Sequence, residues 1–215
     1  MRLNNSISDL KESAETIRIS HYVRSTELLG PYNRFALWVQ GCPFRCKGCI
    51  AESIQSFDGG YDAGIDETSE IILNEKNIEG ITISGGEPFL QAEALYTLIS
   101  AVKYKCEDFG VIIYSGFTYE ELIKSSADNK SVQSLLQLTD ILIDGRYDIL
   151  LDKGEFAKGS SNQKILYLTD RYKNCGTEYY SQKKRKAEII FYKDKSILTG
   201  VPSKNAMEIW KQIIK

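Results

Sequence analysis

Apolar positions recur along the chain in short runs, and each run stops at a glycine or a polar cluster. Phe35-Ala36-Leu37-Trp38-Val39 is an uninterrupted apolar stretch of strand length and reads as a buried strand. Residues 80–84, 111–114 and 140–145 repeat that pattern. Between them lie segments with helical spacing. Residues 68–77 predict a helix with Thr68 or Asp66 as N-cap and Ile71, Ile72 and Ile78 on its inner face. Residues 90–105 predict a longer one with Leu90, Ala94, Leu95, Leu98, Ile99 and Val102 inward. A third opens at Thr118, where Glu121 completes a capping box, and a fourth covers 128–138. Strand and helix alternate, which predicts an α/β fold with parallel strands.

The two ends are less regular. Residues 7–17 carry a helical pattern through Ile7, Leu10, Ala14 and Ile17, followed by a strand at 17–22. Residues 171–187 read as a loop or insertion ending in Lys183-Lys184-Arg185-Lys186, a basic run whose default is a solvated face, with docking of an acidic electron donor or protein substrate as the alternative. Residues 187–191 and 196–198 read as a hairpin, and 203–215 as a closing helix with Ala206, Ile209, Trp210 and Ile213 inward.

Length and charge narrow the classes. The 215 residues fit a single domain, with a core over about 18–170 and the hairpin and helix at about 187–215. A net charge of -2 argues against binding nucleic acid through bulk charge. No apolar run approaches the roughly 20 residues of a membrane span, and the N-terminus lacks the apolar core of a signal peptide. The expectation is a cytoplasmic protein that engages neither nucleic acid nor membrane, in a compartment where thiols stay reduced. Its five cysteines, an odd number, fit a disulfide framework poorly.

The chemistry gathers where the apolar runs end. Cys42, Cys46 and Cys49 stand at C-x3-C-x2-C spacing directly after the first buried strand. Soft thiolates select iron–sulfur clusters, zinc or Cu(I), and Arg45 and Lys47, interleaved with them, are expected to favour the thiolate form. A closed cluster or structural zinc site takes four protein ligands, and this loop offers three. Cys106 and Cys175 stand alone, and His21 is the single histidine. Two readings follow. Three thiolates on a cubane leave one iron open for an outside ligand, the mark of a site that does chemistry; or Cys175, Cys106 or His21 completes a zinc-binding interaction module.

The next strand ends in Ser84-Gly85-Gly86-Glu87-Pro88. Two glycines let a backbone approach a ligand and expose N–H groups to it, and Glu87 adds an acceptor suited to an ammonium group; a plain strand–helix turn could use the same residues. The third strand ends in Ser115-Gly116, the fourth in Asp144-Gly145, and a polar turn, Gly159-Ser160-Ser161-Asn162-Gln163, precedes a further strand. Special residues at strand C-terminal ends follow the rule for (β/α) barrels, although the periodicity by itself establishes parallel α/β and no more.

These stretches resemble the radical S-adenosylmethionine superfamily. Gly30-Pro31-Tyr32-Asn33-Arg34-Phe35 and Trp38-Val39-Gln40-Gly41-Cys42 look like its glycyl-radical-enzyme activases, and Gly-Ser-Ser-Asn-Gln after an Asp-Gly strand is similar to the branch that activates anaerobic ribonucleotide reductase. The resemblance spans about 18–202. It departs after the third cysteine, where Ala51-Glu52 replaces a common Asn-Pro and Phe57 stands in place of a Trp.

The resemblance implies a partial (β/α) barrel with its cofactor site at the strand C-terminal rim. It implies a [4Fe-4S] cluster on Cys42, Cys46 and Cys49, and S-adenosylmethionine held by Gly48, Cys49, Ile50, Ser84, Gly85, Gly86, Glu87, Ser115 and Asp144, with no catalytic side chain. The implied reaction is reductive cleavage of the cofactor to a 5′-deoxyadenosyl radical, which takes a glycine hydrogen from a partner enzyme. A one-electron donor such as flavodoxin or ferredoxin supplies the electron. Another glycyl radical enzyme or a peptide as target stays open as an alternative.

Overall fold

The computed structural model describes residues 14–193 and 195–213. Most of the helical pattern expected over 7–17 lies outside them, and Ile17 already belongs to the first strand. In chain order the elements are β1 (Thr16–Thr26), β2 (Arg34–Val39), β3 (Tyr61–Gly64), α1 (Ile65–Leu73), β4 (Gly80–Gly85), α2 (Ala92–Lys105), β5 (Gly110–Tyr114), α3 (Tyr119–Ser126), α4 (Lys130–Leu138) and β6 (Ile141–Asp144). Then come β7 (Lys164–Tyr167), α5 (Lys173–Tyr180), β8 (Ala187–Phe191), β9 (Ser196–Gly200) and α6 (Lys204–Ile213).

Seven strands form one open sheet in the order β3-β1-β2-β4-β5-β6-β7, and β8 and β9 make a separate hairpin. The expected parallel set is present in β2, β4, β5 and β6. The barrel is corrected: the sheet does not close, and β1, β3 and β7 run antiparallel to their neighbours. The reason is in the connections. A parallel return needs a long crossover, normally a helix, whereas the β6–β7 link carries only a single 3₁₀ turn, Ile149–Leu151. β7 therefore comes back antiparallel, as an edge.

The parallel strands are apolar on both faces because both are covered. Phe35, Leu37, Val39, Ile81, Ile83, Val111, Ile113 and Leu142 pack against α1, α2 and α4. The alternate positions face the other way: Ala36 and Trp38 meet Ile190 and Ile197 of the hairpin, and Ile112, Ile141 and Ile143 meet Tyr172, Cys175 and Tyr180. The segment expected as a loop over 171–187 is thus half helix, and α5 covers the second face. Its low helical signal includes Gly176, where a Cβ would stand 2.6 Å from the Tyr167 ring.

Arg34, wholly buried, locks this arrangement. It donates to Thr82 Oγ1 (2.8 Å), the Tyr172 hydroxyl (2.8 Å) and the carbonyls of Ile81 (2.8 Å) and Gly110 (3.0 Å), and pairs with Glu79 at 2.5 Å. A buried guanidinium is tolerated only with its donors satisfied and its charge matched.

Other boundaries shifted for local reasons. α1 starts at Ile65, with Thr68 inside it donating to the Gly64 carbonyl instead of capping. Pro88–Gln91 is a 3₁₀ turn before α2, which leaves Leu90 half exposed rather than inward. α4 is capped by Asn129, and α3 by the expected Thr118–Glu121 box. In α6, Ala206 and Trp210 are half-buried, but Ile209 and Ile213 are 57% and 48% exposed, against expectation.

Candidate active site

The loops after β2, β4, β5 and β6 share one cleft of about 1120 Å³ at the C-terminal rim of the parallel strands. Cys42, Cys46 and Cys49 line it, together with Gly48, Ile50, Ser84, Gly85, Gly86, Glu87 and Ser115. Of the residues expected to meet a cofactor, the structure leaves Asp144 out. Its buried carboxylate accepts the backbone N–H groups of Tyr119 (2.7 Å) and Lys164 (3.2 Å), tying α3 and β7 to β6, and Gly145 lines the cleft in its place.

The cysteine loop is clipped to the glycine turn by backbone. Gly86 N–H donates to the Val39 carbonyl and Glu87 N–H to the Gly41 carbonyl, both at 2.8 Å. A Cβ on Gly86 would stand 2.0 Å from the Gly41 oxygen, and one on Gly85, at φ 110°, 2.5 Å from the Val39 oxygen. The two glycines serve loop-to-loop approach first. Since the N–H groups of Gly86 and Glu87 are spent, they are not exposed to a ligand as expected; the turn offers acceptors, which suit an ammonium group.

Glu87 is buried and braces the next loop. Its carboxylate accepts Ser115 Oγ–H (2.8 Å), Gly116 N–H (2.7 Å) and Phe89 N–H (3.0 Å). Burial pushes its carboxyl up to about 7, against the lowering effect of those three donors.

Phe44, between the first two cysteines, anchors the loop from above. Its ring lies against Gly116, edge-on to Phe117 (4.8 Å), with the Arg146 guanidinium 4.5 Å from its centroid. Burial raises the Cys42 and Cys46 thiols above the ordinary range. A cation that counters this at Cys46 is Arg146, from the loop after β6.

The Gly-Ser-Ser-Asn-Gln stretch is a brace. Gln163 Oε1 accepts the N–H groups of Gly159 (2.7 Å) and Ser160 (3.2 Å), while Nε2 donates to the Gly145 carbonyl (2.7 Å). Asn162 Nδ2 holds the Arg146 carbonyl at 2.8 Å, and buried Ser160 Oγ accepts Asp148 N–H at 3.0 Å. One short polar run therefore fixes the loop that carries Gly145 and Arg146.

Two further residues line the cleft, His21, weighed above as a possible ligand, and Arg185, which the sequence did not single out. His21 stacks on Trp38 at 4.6 Å across β1 and β2, and burial, with Lys195 nearby, lowers it to about 4. Arg185, from the run expected to be solvated, is buried and pairs with Asp152 at 2.6 Å; it also donates to the carbonyls of Lys158 (2.9 Å) and Gly159 (2.6 Å). Only the surrounding lysines, Lys183, Lys184 and Lys186, are exposed. No local pattern marks Arg185 apart from them.

The donor set fits an iron–sulfur cluster. Three soft thiols, Cys42, Cys46 and Cys49, line one cleft, and soft thiolates select such clusters over hard cations. Cys106 is exposed at the end of α2 and Cys175 packs beside Tyr172, and neither lines the cleft.

Comparison with known proteins agrees with this geometry. Residues 28–166 match the family model described as a 4Fe-4S single cluster domain. A protein of Vibrio cholerae serotype O1 is 34% identical over 147 residues, 65% of this chain and 91% of its own length. One of Haemophilus influenzae is 30% identical over 151 residues (67% and 94%), and one of Enterobacteria phage T4 is 28% identical over 145 (66% and 88%). Each of the three is named anaerobic ribonucleoside-triphosphate reductase-activating protein.

Proposed function

The chain belongs to the family of anaerobic ribonucleoside-triphosphate reductase-activating proteins, and from that premise we propose how its cleft serves the activity. It is a radical S-adenosylmethionine activase that generates a glycyl radical on anaerobic ribonucleotide reductase. When bound, a [4Fe-4S] cluster and S-adenosylmethionine supply the reductive bond cleavage and the 5′-deoxyadenosyl radical that takes the glycine hydrogen.

The chain's own residues bind, orient and shield. Cys42, Cys46 and Cys49 would hold the cluster as thiolates. Ser84, Gly85 and Gly86 present acceptors to the amino group of the cofactor. Glu87 acts by holding Ser115 and Gly116 against that turn. Gly48 and Ile50 flank the third thiol in the same cleft. Phe44 keeps the cysteine loop seated against Gly116 and Phe117. No side chain has to move a proton, which suits a site whose single histidine is held neutral near pH 7. A one-electron donor such as flavodoxin or ferredoxin would supply the electron, and the protein works in the cytoplasm. No helix of the described residues is long and apolar enough to cross a membrane.

The observation that carries this reading is the Gly41 clip, which brings the three thiols and the Gly-Gly-Glu turn into one cleft. The test is anaerobic reconstitution with iron and sulfide, iron counting, and cofactor cleavage after reduction. About four irons per chain and release of 5′-deoxyadenosine that disappears in Cys46→Ala are expected. A colourless protein that retains one zinc and cleaves nothing would overturn it.

A further inference from the structure

The family match ends at residue 166, yet the cleft does not. Another wall of it comes from the β8–β9 turn, β9 and α6: Lys195, Leu198, Lys204, Met207, Trp210 and Lys211 line it. At about 1120 Å³ the cleft exceeds the roughly 300–1,000 Å³ of ordinary small-molecule sites, so a cofactor at the cluster side leaves room beside this wall. Hydrogen transfer needs the reacting atoms about 3–3.5 Å apart. The glycine-bearing segment of the reductase must therefore enter this cleft, alongside β9 and α6.

The wall has a definite chemistry. Three lysines line it against one acidic residue, Glu208, in a chain whose net charge is -2. Met207 and Trp210 add a half-buried apolar strip, of the polarizable and aromatic kind that adapts to a peptide. α6 buries no residue completely, and Ile209 and Ile213 on it stay exposed. An amphipathic helix held this lightly has apolar surface left for a partner.

We infer that β9 and α6 form a docking wall for an acidic stretch of the partner reductase next to its radical-bearing glycine. The inference rests on the activity proposed above and adds the surface and the charge that recognise the substrate protein. Complementary charge at such a rim steers encounter and rejects partners of the wrong sign.

The test uses the cluster-loaded full chain with the reductase, comparing wild type, Lys204→Glu/Lys211→Glu, Lys204→Gln/Lys211→Gln and a control, Lys76→Glu, exposed at the opposite rim. Dissociation constants for the reductase are measured at several salt concentrations, beside glycyl-radical yield and partner-free cofactor cleavage. The double glutamate variant should bind at least tenfold more weakly with a shallower salt dependence, and the glutamine pair should fall between it and wild type. Partner-free cleavage and the control should stay within twofold of wild type. Unchanged reductase affinity in the glutamate variant would overturn the inference. So would a parallel loss of partner-free cleavage, which would assign the lysines to the cofactor. Wild-type protein that cleaves cofactor but neither binds nor activates the reductase would overturn the activity itself and this wall with it.

Discussion

At Gly86 a single hydrogen atom separates two loops. A methyl group there would meet backbone, the Gly41 carbonyl at 2.0 Å, and backbone cannot rotate aside as a side-chain tip can. Gly86→Ala should therefore fold, because the sheet and its helices pack elsewhere, but lose the clip that sets the cysteine loop. Reconstituted iron and cofactor cleavage should each drop about tenfold or more, the scale at which small misplacements of reacting groups are felt, while the far-UV circular dichroism stays that of wild type. Gly64→Ala, where the nearest atom would be 3.8 Å away, should change neither measurement. The Gly-Gly pair was legible as a place of close approach. That the approach is to Gly41 was not, since the two residues meet only when β2 and β4 lie side by side.

At the scale of elements, the structure replaces a supposed loop with a helix and a supposed solvated run with a buried staple. Arg185 joins the loop at 152–159 to the start of the hairpin through Asp152, and both side chains are only 6% exposed. Removing one charge of such a pair leaves the other buried and alone, which costs about 3–5 kcal/mol. Arg185→Met should lower the urea midpoint accordingly, and Arg185→Met/Asp152→Leu should recover much of the loss. Equal loss in the single and double variants would mean that the carbonyl bonds to Lys158 and Gly159, and not the ion pair, carry the effect. The neighbouring Thr118 box, by contrast, was readable outright, because its partners sit three residues apart in the chain.

The whole molecule separates its stability from its cofactor. The main core, between the sheet and α1, α2 and α4, contains no cysteine among its described members, and the three thiols of the C-x3-C-x2-C loop stand on the rim. Stripping iron with a chelator should leave the secondary structure and a cooperative unfolding transition intact, unlike a zinc finger, where metal binding is the folding energy. Loss of far-UV signal on chelation would sink that separation.

The local patterns in the chain determined the strands and helices of the parallel α/β centre, the three thiols, the glycine turn and the activase family, because each is written in residues close together in sequence. Only the tertiary structure decided that the sheet stays open, that Asp144 ties elements together and does not line the cleft, and that β9 and α6 contribute to its lining. Those outcomes depend on which loops meet across long stretches of chain and on which charges become buried when they do, and neither is a property of any local run of residues.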